Sequence, residues 1–380
     1  MMFRKHFRPW AITAVLGAAL ATPGMAATQD QARTLPFTVT LEPAPAIELY
    51  DSELETSDSN SPVHWANGRV YVFVSHWLPI GHSYRRAGTS LDALEAGAIS
   101  VDIERDRTQG VGKWIEATYR DPDGTLFGWY HAETAGPCGR EDAKVPVIGA
   151  LVSRDGGVTW NDLGAVIEAP SDAYDCDMQN GFFAGGLGDF SVIVDRNHRF
   201  FYFLFSNYDR HRSEQGIAVA RMPYAARANP HGQVRKWRDG MWREPGLGGQ
   251  ASPIFPALRN FRHPDPDSFW GPAISYNTYL DGYVMALNHT AEGEADWFQE
   301  GIYLSFTKNL ADPGSWAKPE KLMDGGDWYP QIIGTEPGET DKLSGERGRF
   351  FMSGYSVWEI EFHKRGANTQ AGGSTGSIIR

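Results

Sequence analysis

The chain has 380 residues and a formal charge of −12, 47 acidic side chains standing against 35 basic ones. That balance excludes nucleic acid as a partner, and an acidic polysaccharide could approach only where basic residues cluster, as at Arg85-Arg86. Thirteen Trp within a 13% aromatic content are enough large side chains for one sizeable core, and the length suits a single domain rather than a string of small ones.

Residues 1–26 read as a signal peptide. Arg4, Lys5 and Arg8 precede an apolar run from Trp10 to Ala21, and Thr22-Pro23-Gly24-Met25-Ala26 ends in small residues suited to cleavage. No Cys follows that site and no later stretch is long and apolar enough to span a bilayer, so a periplasmic or secreted product without a membrane anchor is expected. Residues 27–365 then form the folded domain. The tail, 366–380, is rich in Gly, Ser and Ala and is expected to be disordered.

Within the domain one unit recurs five times: an apolar strand, a tight turn, then an aromatic-rich strand. Blade 1 places residues 60–65 and 70–75 around Asn67-Gly68, and blade 2 places residues 114–119 and 126–131 around Asp121-Pro122-Asp123-Gly124. Blade 3 pairs 189–194 with 200–205, blade 4 pairs 270–275 with 283–287 across Asp281-Gly282, and blade 5 pairs 328–333 with 350–355. Third strands are expected at 86–90, 149–153, 216–220 and 301–305. This radial repetition predicts an all-β, five-bladed β-propeller, whose ring is closed by 37–41 or by 358–362.

Between two outer strands of blade 2 lies Ser153-Arg154-Asp155-Gly156-Gly157-Val158-Thr159-Trp160. Asp and Ser side chains can satisfy turn amides there, the glycines allow left-handed backbone, and the Trp can plug a seam between blades. The motif resembles the Asp box of sialidase-like propellers and implies architecture rather than chemistry. Cys138 and Cys176 both lie in Gly-, Pro- and Asp-rich loop sequence, and in an exported protein they are expected to form a disulfide.

Chemistry belongs where the innermost strands begin, because a propeller brings those starts together at one mouth. The candidates are Asp58 and His64 from blade 1, Trp114 and Glu116 from blade 2, Asp189 from blade 3, Trp270 from blade 4, and Tyr329 with Gln331 from blade 5. His131 and His289 reach the same mouth from second strands. Glu116 stands out because Ile115 and Ala117 flank it in an inner strand, where an unpaired charge is costly. The aromatics, Trp114, Trp270 and Tyr329 above all, could stack on sugar rings.

Ser-Pro at 61–62, Gly-Asp-Phe at 188–190 and Trp-Gly-Pro at 270–272 fall at successive blade starts, and in this the chain resembles five-bladed glycoside hydrolases of families 43 and 117. The resemblance implies a base and a pKa modulator at the starts of blades 1 and 3, here Asp58 and Asp189. It also implies an acid before Gly-Pro in blade 4, but Trp270 stands there, and Glu116 is the substitute expected on positional grounds. The resulting expectation is a glycoside hydrolase acting on a polysaccharide or its oligosaccharides, with Glu116, Asp189 and Asp58 catalytic. It requires no cofactor, although a structural calcium ion could fill the central channel. A uronate lyase using His64, His131 or a Tyr as base with an Arg, and a carbohydrate-binding propeller without catalysis, are the rival readings. The oligomeric state is open.

Overall fold

A computed structural model describes residues 34–51, 56–78, 81–108, 112–140, 143–293 and 297–366. The expected signal peptide and nearly all of the expected tail lie outside those residues. Five antiparallel sheets make the five blades. From the inside outward, blade 1 is Val63–Ala66, Arg69–His76, His82–Gly88 and Ile99–Ser100. Blade 2 is Lys113–Arg120, Leu126–Ala135, Lys144–Ser153 and Thr159–Ile167, with Asp102–Glu104 added parallel at its outer edge. Blade 3 starts with Leu187–Val194, Phe200–Asn207 and Gly216–Pro223, and blade 4 with Ser268–Asn277, Gly282–Thr290 and Gly301–Thr307. Blade 5 runs Gln331–Ile333, Arg347–Met352 and Tyr355–Lys364, and the N-terminal strand Phe37–Glu48 is its outermost member. The two expected closing segments therefore pair with each other, Phe37 opposite Lys364 and Leu41 opposite Ile360.

The second strands are apolar on both faces because each is sandwiched between two neighbouring blades. Along Phe200–Asn207 the side chains alternate. Phe201, Phe203 and Phe205 pack toward blade 2 with Trp129, whereas Tyr202 and Leu204 pack toward blade 4 with Met285 and Leu287. Each seam of the ring has such an apolar cluster, and fully burying one of these side chains contributes about 1.5–3 kcal/mol. The ring is held by its seams.

The Ser153–Trp160 turn serves the seam between blades 1 and 2. Asp155 Oδ1 accepts from the amides of Val158 (3.1 Å) and Thr159 (3.0 Å), and Ser153 Oγ accepts from Gly157 N at 2.9 Å. Gly157 has φ +85°, and a Cβ there would stand 2.3 Å from Phe73 Cζ, so only glycine fits. Trp160 is fully buried, edge-on to Phe73 of blade 1, and its indole N–H donates to Gly157 O at 3.1 Å. Cys138 and Cys176 are joined, tying the hairpin after the second strand of blade 2 to the loop that enters blade 3.

Candidate active site

Three inner strands are interrupted near the mouth. Pairing slips by a residue at Glu116 in blade 2, at Asp189 in blade 3, and between Trp270 and Ala273 in blade 4. Asp189 adopts φ +43°, a conformation disfavoured for a residue with a Cβ. Bulges of this kind re-aim side chains. Here they turn Glu116 and Asp189 toward one another and toward His131, so that one ligand atom from each of the three lies within 4.8 Å of the others.

Glu116 is completely buried, with both oxygens engaged. Oε1 pairs with His131 Nδ1 and Oε2 accepts from Phe190 N at 2.8 Å. Burial alone would strip the proton from His131, but the Glu116 carboxylate outweighs it and holds the imidazole up at about 9. His131 also stacks on Trp114 at 4.7 Å, and Trp114 Nε1 donates to Asp58 Oδ2 at 2.9 Å. Asp189 accepts from two phenols, Tyr208 on Oδ2 and Tyr329 on Oδ1 at 3.2 Å. Burial first, and then the Asp189 carboxylate, push both tyrosines well above their usual range, so they remain donors.

Asp58, His131 and Asp189 line one cavity of about 240 Å³, together with Glu133. The rest of its wall is aromatic: Trp77 from blade 1, Phe182 and Phe183 from the loop before blade 3, Trp270 and Trp297 from blade 4, and Trp328 with Tyr329 from blade 5. Trp270 meets Trp297, Trp328 and Tyr329 edge-on at 5.5–5.8 Å, which fixes the box. Asp58 is lifted to about 7, chiefly by burial; His131 and the Trp114 N–H oppose this and the Asp189 carboxylate adds to it. A carboxyl poised near neutrality on a cavity wall can exchange a proton with whatever binds there.

Other sequence candidates lie elsewhere. Glu116 is next to Asp189 but does not reach the cavity wall, because His131 stands in front of it. Trp114 is wholly buried, holding Asp58 and His131 rather than offering a stacking face. His64 is buried in blade 1, stacked on Tyr71 and Phe73, and driven down to about 3 by burial and by Arg120 and Arg85. His289 sits between Asp267 and Glu300 of blade 4, off the cavity wall. Gln331 clasps blade 5 to blade 1, accepting from Ser61 N and donating to Ser61 O, each at 3.0 Å. Arg85 and Arg86 spend their guanidinium groups on backbone carbonyls, Gly156 O for Arg85 and Glu48 O, Leu49 O, Tyr50 O and Glu95 O for Arg86.

The Glu116, His131 and Asp189 cluster does not fit a cation. Each of its four carboxylate oxygens already accepts an N–H or O–H, and the imidazolium is its counter-charge. Nearby the fully buried Asn60 amide donates to Phe190 O (3.0 Å) and Pro272 O (3.1 Å), so one side chain bridges three blades. Glu133 is the residue sequence reading missed. It lies two positions after His131 on Leu126–Ala135, and the two-residue period of a strand puts both on one face.

No protein-family model matches the chain, and no curated protein matches it in sequence. Among solved structures it is similar to an exo-β-1,3-galactanase from Phanerochaete chrysosporium, crystallised with β-1,3-galactotriose: 10% identity, TM-score 0.48, covering 85% of this chain and 64% of that one. It is also similar to an exo-β-1,3-galactanase from Clostridium thermocellum, at 9% identity and TM-score 0.48 over 85% of this chain and 62% of that one. A family 43 β-1,3-galactosidase solved with galactodeoxynojirimycin gives 13% identity and TM-score 0.46 over 83% of this chain and 94% of that one. The chain thus spans less than two thirds of the length of both galactanases. Identity and TM-score are too low to transfer an activity, so the site's own geometry has to supply it.

Proposed function

We propose that this protein is a glycoside hydrolase that takes a terminal sugar into the aromatic cavity, with Asp58 as the general base and Asp189 as the neighbouring carboxylate that tunes it. The observation that carries this reading is the pair itself: Asp58 and Asp189 share one cavity wall, and the charge of Asp189 helps raise Asp58 to about 7. A base works best when its pKa is near the operating pH, where it is ionised often enough to act and still holds a proton strongly. Asp189, with two phenols on its oxygens, keeps a fixed orientation while it does this. Glu116 supports the site from behind by orienting His131, whose Nε2 is buried at the cavity wall with no partner among the described residues and can meet a sugar hydroxyl.

The lining favours hydrolysis of a neutral sugar over elimination from a uronate. Three carboxyl groups and one imidazolium face the cavity, the imidazolium is already paired with Glu116, and no Arg or Lys joins them among the described residues, a balance that disfavours a uronate. Flat indole faces in a cavity of this size suit one or two sugar rings, which favours action at a chain end. We infer export from the leader sequence, consistent with a stable disulfide.

Incubation of the purified protein with a panel of neutral oligosaccharides and aryl glycosides, read by product chromatography and by ultraviolet absorbance, tests the assignment. Reducing-end products of saturated sugars are expected. An unsaturated product absorbing in the ultraviolet would transfer the site to a lyase, and binding without turnover would leave a carbohydrate-binding propeller.

A further inference from the structure

Beside the aromatic cavity lies a second cleft of about 460 Å³, and the two share Trp77 and Glu133 in their walls. The second cleft carries charged and polar groups, with His82, Lys113 and Lys144 facing Asp102 and Asp106, beside the apolar Val101 and Ile103. Glu133 is therefore the carboxylate at the partition, open to both spaces. Its carboxyl differs from its neighbours in one respect: no hydrogen bond or salt bridge among the described residues engages it, whereas those of Glu116, Asp189 and Asp58 are all held by donors. The blade 4 position from which the family resemblance draws its acid is filled by Trp270, so the hydrolase reading lacks a proton donor.

We propose that Glu133 is that donor and that the departing part of the substrate lies in the second cleft. This rests on the hydrolase reading above. Water attacks the anomeric carbon as the glycosidic carbon–oxygen bond breaks. The Glu133 carboxyl proton goes to the departing oxygen, and Asp58 receives a proton from the water. One water is consumed per bond, and the two carboxyl groups then reset by exchange with solvent. The environment supports a proton on Glu133: burial pushes its carboxyl up, His131 pulls it down, Asp189 pushes it up and Lys144 pulls it down, with a net upward displacement.

The experiment compares two substrates carrying whichever sugar the wild-type enzyme removes: a disaccharide, whose leaving alcohol needs a proton, and the glycosyl fluoride, whose leaving group needs little help and fills no cleft. For Glu133→Gln, turnover of the disaccharide should fall at least about 10²-fold while the fluoride stays close to wild type. The alkaline limb of the disaccharide pH profile should vanish with it. His82→Ala, a change in the second cleft alone, should raise KM for the disaccharide and leave the fluoride untouched. An equal fall for both substrates in a normally folded Glu133→Gln, or no fall for either, would overturn the donor role. An unchanged disaccharide KM in His82→Ala would remove the leaving group from the second cleft. A wild-type protein that cleaves no glycoside would instead remove the hydrolase reading itself.

Discussion

Asp155 in the outer turn and Asp58 in the cavity are the same residue in opposite situations. Backbone amides of Val158 and Thr159 and the Ser153 hydroxyl surround Asp155, and although burial works against it these donors bring its carboxyl below the usual range. Asp58 has one indole N–H, a neighbouring carboxylate and little water, and it is displaced upward to about 7. A carboxylate used to fix a turn is saturated with donors and gives up its proton readily. One used for chemistry is kept short of donors, and the fold bears the cost of holding it.

Glu116 should break this contrast most forcefully, because donors hold both of its oxygens although it lies beside Asp189. Glu116→Gln leaves the His131 imidazole buried without its counter-charge and should destabilise the fold by about 3–5 kcal/mol in chemical denaturation. The pH dependence carries the sign. With His131 raised to about 9 in the folded state, its contribution is complete below the unfolded value near 6.5 and is lost as pH rises toward 9. That loss should be present in wild type and absent in the variant.

Asp58→Asn should reduce turnover at least about 10²-fold, an increase of about 2.7 kcal/mol in the barrier. Its stability should move the other way. A carboxyl raised in the folded state binds its proton more tightly there than when unfolded, so wild type loses stability as pH climbs from about 4 to about 7. Asp58→Asn should consequently melt higher than wild type at pH 8, with the gap closing near pH 4. A lower melting temperature at pH 8 would mean that Asp58 is a turn residue like Asp155.

The smallest effect is expected at Asp155 itself. Asp155→Ala should cost about 1 kcal/mol at neutral pH and leave turnover per folded molecule unchanged. Because its carboxyl is lowered on folding, the contribution is present above the unfolded value and lost as pH falls through the folded one, so variant and wild type should converge in strong acid.

Much of this architecture is legible before any coordinates. Turn residues and runs of aromatics give all five inner hairpins, since strands buried between two blades cannot alternate with polar residues and must read as continuous apolar runs. The bulges are not legible. Nothing in Ile115-Glu116-Ala117 or Gly188-Asp189-Phe190 announces the slipped pairing that turns the two carboxylates toward each other. Gln331 and His64 mislead for a related reason: a polar residue at a blade start can serve its neighbouring blade or its own aromatics instead of the mouth. Two interblade loops supply Phe182 and Trp328 to the cavity, and a loop within blade 4 supplies Trp297, without any periodic signal. Glu133 was within reach, since the strand period extends from His131 to it directly.

Blade 5 joins the first described strand to the last, with Thr38 opposite His363 and Val39 opposite Phe362. Its inner strand and the residues just before it bring Gln331 to Ser61 and Tyr329 to Asp189, contacts that cross 270 and 140 positions of chain. A polypeptide still being synthesised cannot make that junction, because its partner strand does not yet exist. The cavity is thus late to form: an unfinished chain can hold earlier blades but not the enclosed mouth, which is complete only when blade 5 is in place.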